Sequence, residues 1–334
     1  MSIAYPSGST QRDASAALHA RINGIDMFRF LAVVGVVFIH ASDKTTIGNA
    51  LDLASRFGVP FFFVVAGYFA GLKPKLSFLS EVRHVGKRII GPYLVWLALY
   101  AVYSGYDFSN LLSIRGLALL FVYAGPGWHL WFLTSLAFSV MMLAILRRLC
   151  ELRTLVGLAI VVYIAGLAIG PYARIVFSIA NLSIHPRNGL FLGFPFMVMG
   201  YWVGRNRWNG RPFSTGALLY FGGFMLTIGE VYGLSRLPGG VNYDVLLGTV
   251  PMAAGAFIMA LRLPDIPMTR HVSNLGRYSL GIFASHLAIM FEVQRLLAGT
   301  TIYTELVVVI LTVAVASLCA LILGQFRLTR PLVR

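Results

Sequence analysis

Residues 25–42 read IDMFRFLAVVGVVFIHAS, an apolar run that contains three ionisable side chains, Asp26, Arg29 and His40. An α-helix of roughly 20 predominantly apolar residues crosses a bilayer whose hydrocarbon core is about 30 Å thick. The run therefore predicts a transmembrane helix. Its continuous apolar character excludes the alternation of polar and apolar residues that is typical of membrane β-barrels.

The composition of the whole chain indicates the same class of protein. Of its 334 residues, 58% are hydrophobic and 12% are charged, which is too apolar for a soluble globule or a disordered chain. Two cysteines, Cys150 and Cys319, provide no disulfide framework. We predict an all-α fold, a polytopic membrane helical bundle of about ten transmembrane helices.

The predicted spans are apolar runs bounded by charged or Gly/Pro-rich segments. Residues 1–20 are polar and lack the pattern of a cleaved signal peptide, so we predict a flexible cytoplasmic tail, followed by a single transmembrane domain over residues 21–334. The longest irregular segment, 107–127, contains a stretch, 116–123, that predicts a half-helix or re-entrant element. The predicted spans are 25–42, 56–72, 89–106, 128–146, 154–173, 188–204, 213–233, 245–261, 275–292 and 302–323.

The net charge of +15 is explained by topology rather than by a nucleic-acid partner. With the N-terminal tail in the cytoplasm, alternation of the ten spans assigns 18 Lys and Arg residues to the cytoplasmic side and 7 to the opposite side. The positive-inside rule then favours both termini in the cytoplasm, next to anionic lipid head groups.

The ionisable residues of the first span share one face of its helix. His40 follows Arg29 by eleven residues, which at 100° per residue is about 20° past three full turns, with an axial offset of roughly 16 Å. Asp26 joins the same stripe. Buried polar residues often serve only helix packing, as an ion pair at a helix end or a hydrogen bond to a neighbour. A stripe of three favours a functional site.

Two further histidines lie in apolar surroundings, His129 between Trp128 and Trp131, and His286 inside the ninth predicted span. The tryptophans and His129 also fit an interfacial belt, whereas His286 lies too deep for one. Together with His40 they suggest a polar cavity on the outer side. Three histidines at these separations do not form a metal motif, so we predict no metal.

A basic segment precedes the third span and contains Arg83, Lys87 and Arg88 on adjacent turns. It is interpreted either as the strongest positive-inside anchor of the chain or as an anion site whose side chains converge on phosphate groups.

Five motifs follow one another along the chain: NGIDMFR at 23–29 with His40 after ten further residues, FFFVVAGYF at 61–69, WHLWFL at 128–133, FPFMVMGY at 194–201 and LGRYSL at 275–280 through His286. In this order they resemble the motifs of the membrane acyltransferase family 3, integral-membrane O-acyltransferases of bacterial surface glycans. Two departures concern Ala66, which stands where that family usually has Ser, and the family's paired arginines, which Arg83 to Arg88 reproduce only at a different spacing.

The resemblance implies an enzyme of the bacterial inner membrane that moves an acyl group, most often acetyl from acetyl-CoA, onto a hydroxyl of a saccharide or glycolipid. It implies His40 as general base or acyl carrier, with Asp26 orienting Arg29. The implied donor-binding residues are Arg29, Arg83, Lys87 and Arg88. The implied acceptor-binding residues are Trp128, His129, Trp131 and His286.

Two other functions fit the same residues. The first is a secondary transporter or flippase for a small molecule or lipid-linked glycan, in which the intramembrane ionisable residues form a relay. The absence of a visible internal repeat counts against it. The second is a non-catalytic scaffold in a polysaccharide-synthesis complex. The acyl group, the acceptor and the oligomeric state are left open.

Overall fold

The computed structural model describes residues 22–42, 46–73, 77–106, 113, 125–178, 185–206, 210–237, 243–297 and 302–334, and within these ranges the chain is helical and has no β-strand. A π-helical turn at Gly86–Ile90 joins two helices, another at Gly189–Gly193 leads into the helix that begins at Phe194, and a short 3₁₀ helix spans Gly125–Leu130. The α-helices are α1 Asn23–Ala41, α2 Thr46–Ser55, α3 Gly58–Leu72, α4 Phe78–Val85, α5 Gly91–Ser104, α6 Trp131–Leu149, α7 Leu152–Ile169, α8 Ala173–Phe177, α9 Phe194–Asn206, α10 Phe213–Ser235, α11 Thr249–Arg262, α12 Pro267–Gly276, α13 Ser279–Leu296, α14 Ile302–Leu323 and α15 Arg330–Val333.

The predicted fold class, an all-α membrane bundle, is confirmed. Each of the ten predicted spans overlaps a helix, and seven helical stretches in the described part of the chain are long and apolar enough to cross a membrane. The count of ten and the cytoplasmic termini stay predictions. The predicted tail and nearly all of 107–127 lie outside the described residues. The seven stretches are Asn23–Ala41, Ile47–Leu72, Phe78–Ser104, Gly125–Leu149, Leu152–Ile169, Phe213–Ser235 and Thr304–Leu323.

The predicted span 245–261 differs from its helix, which begins later, at Thr249. The carboxylate of Glu230 accepts hydrogen bonds from the backbone N–H groups of Leu247 and Gly248, at 2.9 and 3.2 Å. A helix leaves its first N–H groups without partners inside the helix, and an acidic side chain there also interacts favourably with the helix dipole. Glu230 therefore stabilises the start of α11 from the neighbouring helix α10.

Helices α3 and α9 approach each other closely along their glycine faces. A methyl group added at Gly67 would lie 1.9 Å from the carbonyl oxygen of Met197, and one added at Gly200 would lie 1.9 Å from that of Val64. Glycine is required at both positions because the two backbones are in direct contact. Small residues at the contact allow membrane helices to pack closely, which matters because burial from water contributes little there.

Helix α1 lies at the centre of the bundle, where it packs against α2, α3, α11, α12, α13 and α14. Its first turn is held by Asp265, which accepts a hydrogen bond of 2.8 Å from Asn23 and pairs with Arg270. The hydrogen bond from Arg270, and then that from Asn23, lowers the pKa of Asp265 below its ordinary value. The position of α1 fixes the two ends of its polar stripe relative to the other helices.

We expect Gly200→Ala to lower the thermal unfolding temperature of the detergent-solubilised protein, because the added methyl group forces α3 and α9 apart. Overpacking of this kind costs about 1–3 kcal/mol or more. The control is Gly229→Ala, since a methyl group at this exposed position of α10 meets no atom within 4 Å. Equal unfolding temperatures for the two variants would contradict a structural role for the α3–α9 contact.

Candidate active site

The three predicted histidines meet at one end of the bundle, called here the histidine end. His40 lies in the last turn of α1, His129 in the 3₁₀ helix before α6, and His286 in the second turn of α13. The His40 ring stacks on the His286 ring at 5.5 Å between centroids, and the His129 and His286 rings are perpendicular at 5.2 Å. His129 and His286 are fully buried, whereas His40 is half-buried and is the accessible member.

Hydrogen bonds to the backbone define the tautomers of the two buried rings. His129 Nε2 lies 3.1 Å from the carbonyl oxygen of Ala284, and His286 Nδ1 contacts that of Phe283. A carbonyl oxygen only accepts, so each of these ring nitrogens carries the hydrogen. The remaining nitrogens, His129 Nδ1 and His286 Nε2, have no hydrogen-bond partner within the described residues. In the neutral rings both hold a free lone pair, so the pair is suited to receive hydrogen bonds.

Tyr100 on α5 also bonds to the backbone that holds these histidines. Its hydroxyl donates to the Ala284 carbonyl oxygen at 2.9 Å and accepts from the Ala288 N–H at 3.2 Å, on either side of His286. Its ring lies perpendicular to His129 at 4.7 Å. Sequence reasoning missed Tyr100, because nothing distinguishes it from the other aromatic residues of its apolar run.

Arg29 lies at the opposite end of the stripe, called here the Arg29 end. It pairs with Asp26 at 2.9 Å, as the i,i+3 spacing predicts, and its guanidinium lies 5.8 Å from the centroid of the Phe69 ring. Arg29 lines a cavity of about 340 Å³, together with Lys73, His84 and other residues of α3, α4 and α6. The cavity thus has both cationic side chains and apolar walls.

A buried ion cluster completes the wall of this cavity. Glu81 contacts Arg147, and its second oxygen lies 3.2 Å from Arg148. Glu81 and Arg147 are 7% and 8% exposed, and both line the cavity. Sequence reasoning counted Arg147 only as a topological charge and did not single out Glu81. The available signal was that Glu81 is the single acidic residue of the basic segment 73–88.

The predicted donor-binding arginines and lysine are not all brought together. Arg83, Lys87 and Arg88 have exposed side chains around the π-helical turn, and the cavity that contains Arg29 is lined by their neighbour His84 instead. The three exposed residues therefore lie at the surface beside the Arg29 end. These three residues could contact only the part of a donor molecule that remains outside the cavity.

An aromatic layer separates the cavity from the histidines. The Phe132 ring lies 5.6 Å from Phe62 and 5.2 Å from both Phe63 and Phe283. Phe283 in turn contacts the rings of His129 and His286 at 5.8 and 5.6 Å. The residues one helical turn further from the histidines, Ala66 after Phe62 and Leu136 after Phe132, already line the cavity. The two ends of the stripe are thus divided by a single layer of rings.

The predicted tryptophans have different environments at the histidine end. Trp128 is 42% exposed and approaches His40 edge-on at 5.0 Å, so it is placed to contact a ligand beside that ring. Trp131 is buried, and the guanidinium of Arg187 lies 5.3 Å from its ring centroid.

In the described parts of the chain no group of three or more His, Cys, Asp or Glu side chains could hold a metal ion. The metal-free site stays a prediction.

The fold and the site define a class of protein, an integral membrane helical bundle with polar groups in its interior. Comparison with known proteins agrees with this class. The profile of a family described as acyltransferase domain matches residues 22–323, and the chain belongs to this family. It is the acyltransferase family 3 that the sequence motifs resemble, so the chain carries a membrane acyltransferase domain.

The curated relatives share only part of their length with this chain. An amino-acid racemase of Enterococcus faecalis is 28% identical over 206 residues, which are 55% of this chain and 29% of the relative. A serine/alanine racemase of Enterococcus gallinarum is 29% identical over 224 residues, which are 59% of this chain and 31% of the relative. The chain thus spans less than a third of these relatives. No solved structure matches it.

We expect Tyr100→Phe to lower the acyl-transfer rate about two- to tenfold while folding is retained, because it removes the hydrogen bonds that hold Ala284 and Ala288 in place around His286. The measurement is the pH profile of the rate, since a displaced His129 or His286 changes the hydrogen bonding around His40 and therefore the pH at which the rate changes. The control is Tyr103→Phe, one turn further along α5, which removes the hydroxyl that donates to the exposed Glu292. An unchanged rate and profile in Tyr100→Phe would refute the positioning role.

Proposed function

We propose that this protein is a membrane O-acyltransferase that moves an acyl group, most simply acetyl from acetyl-CoA, onto a hydroxyl of a saccharide or glycolipid acceptor. The observation that carries the proposal is the arrangement along α1. A cation-lined cavity contains Arg29, an imidazole cluster contains His40, and one aromatic layer lies between them. Two reactants that approach from opposite ends of the bundle would meet at this layer.

The donor is assigned to the Arg29 end on the basis of charge. Arg29, Lys73 and His84 line the cavity beside the Arg147–Glu81 ion pair, and arginine and lysine are the residues that bind phosphate groups. The cavity volume of about 340 Å³ is at the lower end of the range for ligand sites. We therefore assign to it the pantetheine arm and the adjoining phosphates, while the exposed Arg83, Lys87 and Arg88 contact the outer part of the nucleotide.

The chemistry is assigned to His40, because it is the half-buried ring of the cluster and the one beside Trp128. As general base it would take the proton of the acceptor hydroxyl while the hydroxyl oxygen attacks the thioester carbonyl. The C–S bond then breaks, and the CoA thiolate receives the proton. In the alternative route His40 itself is acylated, releases CoA, and passes the acyl group to the acceptor. Both routes use the same geometry.

The buried histidines are assigned to the acceptor. Their free lone pairs, on His129 Nδ1 and His286 Nε2, accept hydrogen bonds, so in the neutral form they orient a hydroxyl or the His40 N–H. A tetrahedral oxyanion requires donors instead. The tautomers therefore favour acceptor binding over oxyanion stabilisation for this pair.

The proposal is tested by offering radiolabelled acetyl-CoA to the purified protein with candidate glycans. We expect His40→Ala to reduce label on the acceptor by about 100-fold or more, because general-base catalysis contributes roughly 10²–10⁴. The control is His271→Ala, which removes an exposed histidine of α12. Label that stays on wild-type His40 without acceptor would indicate the acyl-histidine route.

Stabilisation by the donor shows whether a loss of activity is a loss of binding. An excess of CoA a hundredfold over its dissociation constant stabilises a folded protein by about 2.7 kcal/mol, and His40→Ala should keep this shift. Full acyl transfer by a folded His40→Ala would overturn the role of His40. No stabilisation by any acyl-CoA, with no transfer, would favour a membrane carrier over an enzyme.

The aromatic layer must open when the thioester reaches His40. We expect Phe132→Leu to increase acceptor-independent hydrolysis of acetyl-CoA several-fold, because a smaller side chain lets water from the histidine end reach the donor. Phe221→Leu, on the exposed face of α10, is the matched control. Hydrolysis at the wild-type rate in folded Phe132→Leu would show that these rings do not close the passage.

A further inference from the structure

Arg187 lies at the histidine end and is not used by the mechanism above. It precedes the π-helical turn before α9, and its guanidinium lies over the Trp131 ring at 5.3 Å. Trp131 follows His129 by two residues at the start of α6. The Arg187 side chain is 39% exposed. It thus combines a rigid aromatic support with access from outside the bundle.

The neighbouring Arg56 has a structural role at this end, because its guanidinium bonds to other parts of the chain. Its Nε and NH2 groups bind the two carboxylate oxygens of Asp52, at 3.1 and 3.0 Å, and its NH1 group donates to the Tyr243 carbonyl oxygen at 3.3 Å. Asp244 lies 3.6 Å from the same NH1. Arg56 is therefore engaged along its whole fork and is only 19% exposed.

Arg187 has a different bonding pattern. Among the described residues its single hydrogen bond runs from NH1 to Asp244, at 3.3 Å, and Asp244 is shared with Arg56. A guanidinium has five N–H donors in a planar fork that matches a carboxylate or phosphate. Most of the Arg187 fork is thus available to a ligand, in a position held by Trp131 on one face and Asp244 at one edge.

Arg187 also lies close to the proposed reaction centre. Its guanidinium lies over Trp131, two residues after His129, and the His129 ring packs on His286, which stacks on His40. Arg56 bonds through all three of its guanidinium nitrogens, whereas Arg187 bonds through only one among the described residues. A ligand group bound to Arg187 would therefore lie beside the acceptor hydroxyl that His40 activates.

We propose that Arg187 binds an oxyanion of the acceptor, a carboxylate or a phosphate ester, so that the acceptor is an acidic saccharide or glycolipid rather than a neutral one. The two oxygens of the anion would take two N–H groups of the guanidinium fork, while Trp131 fixes its plane. This inference rests on the proposed function, because it names the class of its acceptor.

The test compares sugars that differ in one charge. Wild-type protein is given methyl glucuronide or methyl glucoside, and separately glucose 6-phosphate or glucose, with labelled acetyl-CoA. We expect a lower KM for the acidic member of at least one pair, and the pair that shows it distinguishes carboxylate from phosphate. In Arg187→Met the KM for that acid should rise about tenfold to a hundredfold, because one or more charge-assisted hydrogen bonds are lost.

Two further variants separate binding from folding. Arg187→Lys keeps the charge but loses the fork, so its KM for the acid should lie between those of wild type and Arg187→Met. Arg295→Met is the matched control, because Arg295 also pairs with a carboxylate, that of Glu292, and is highly exposed. The KM for the neutral sugar should be the same in all variants, and CoA should stabilise each of them as it does wild type.

The outcomes distinguish this inference from the proposed function. Transfer to acidic and neutral sugars with equal KM, unchanged by Arg187→Met, would overturn the inference and leave the acyltransferase intact. Transfer to no sugar would count against the proposed function. Binding is then decided by thermal stabilisation with methyl glucuronide and glucose 6-phosphate. A shift in wild type that is lost in Arg187→Met supports the oxyanion site, and no shift in wild type overturns it.

Discussion

The direct contact between the backbones of α3 and α9 determines how close these two helices of the interior lie. In a membrane the lipid is as apolar as the helix surfaces, so helices associate through close packing rather than through release of water. Glycine at positions 67 and 200 permits that packing, because any side chain there would occupy the space of a carbonyl oxygen. Helix α3 supplies Ala66 and Phe69 to the cavity of Arg29 and Phe62 to the aromatic layer, so this contact positions the Arg29 end and the layer beside it.

The polar groups within the bundle are ordered by the backbone of α13. The carbonyl of Ala284 binds both His129 and Tyr100, and that of Phe283 binds His286. One helical turn therefore sets the tautomers of two imidazoles that come from distant parts of the chain. Main-chain groups thus position the imidazoles of the proposed site without the burial of a further charge, which would be costly.

Part of this arrangement was predictable from sequence. The helical period places Asp26, Arg29 and His40 on one stripe, and the apolar runs mark the helices that surround it. Their lengths were less predictable, because the Glu230 carboxylate that stabilises the start of α11 comes from another helix. The meeting of His40, His129 and His286 depends on how α1, α6 and α13 pack, which spacing along the chain does not define. Tyr100, Glu81 and Arg187 take their roles from partners 184, 66 and 57 residues away.

The aromatic layer between Arg29 and His40 also has an electrical consequence. Arg29 and its cavity lie on one side of the rings around Phe132 and the histidines lie on the other, so a transmembrane voltage would fall mainly across this apolar layer. Moving one elementary charge through 100 mV costs about 2.3 kcal/mol. An acetyl thioester is neutral and would cross the layer without this cost, whereas a proton is charged and would incur it. In the proposed acyltransferase, the packed rings would therefore admit the acyl group while holding back ions.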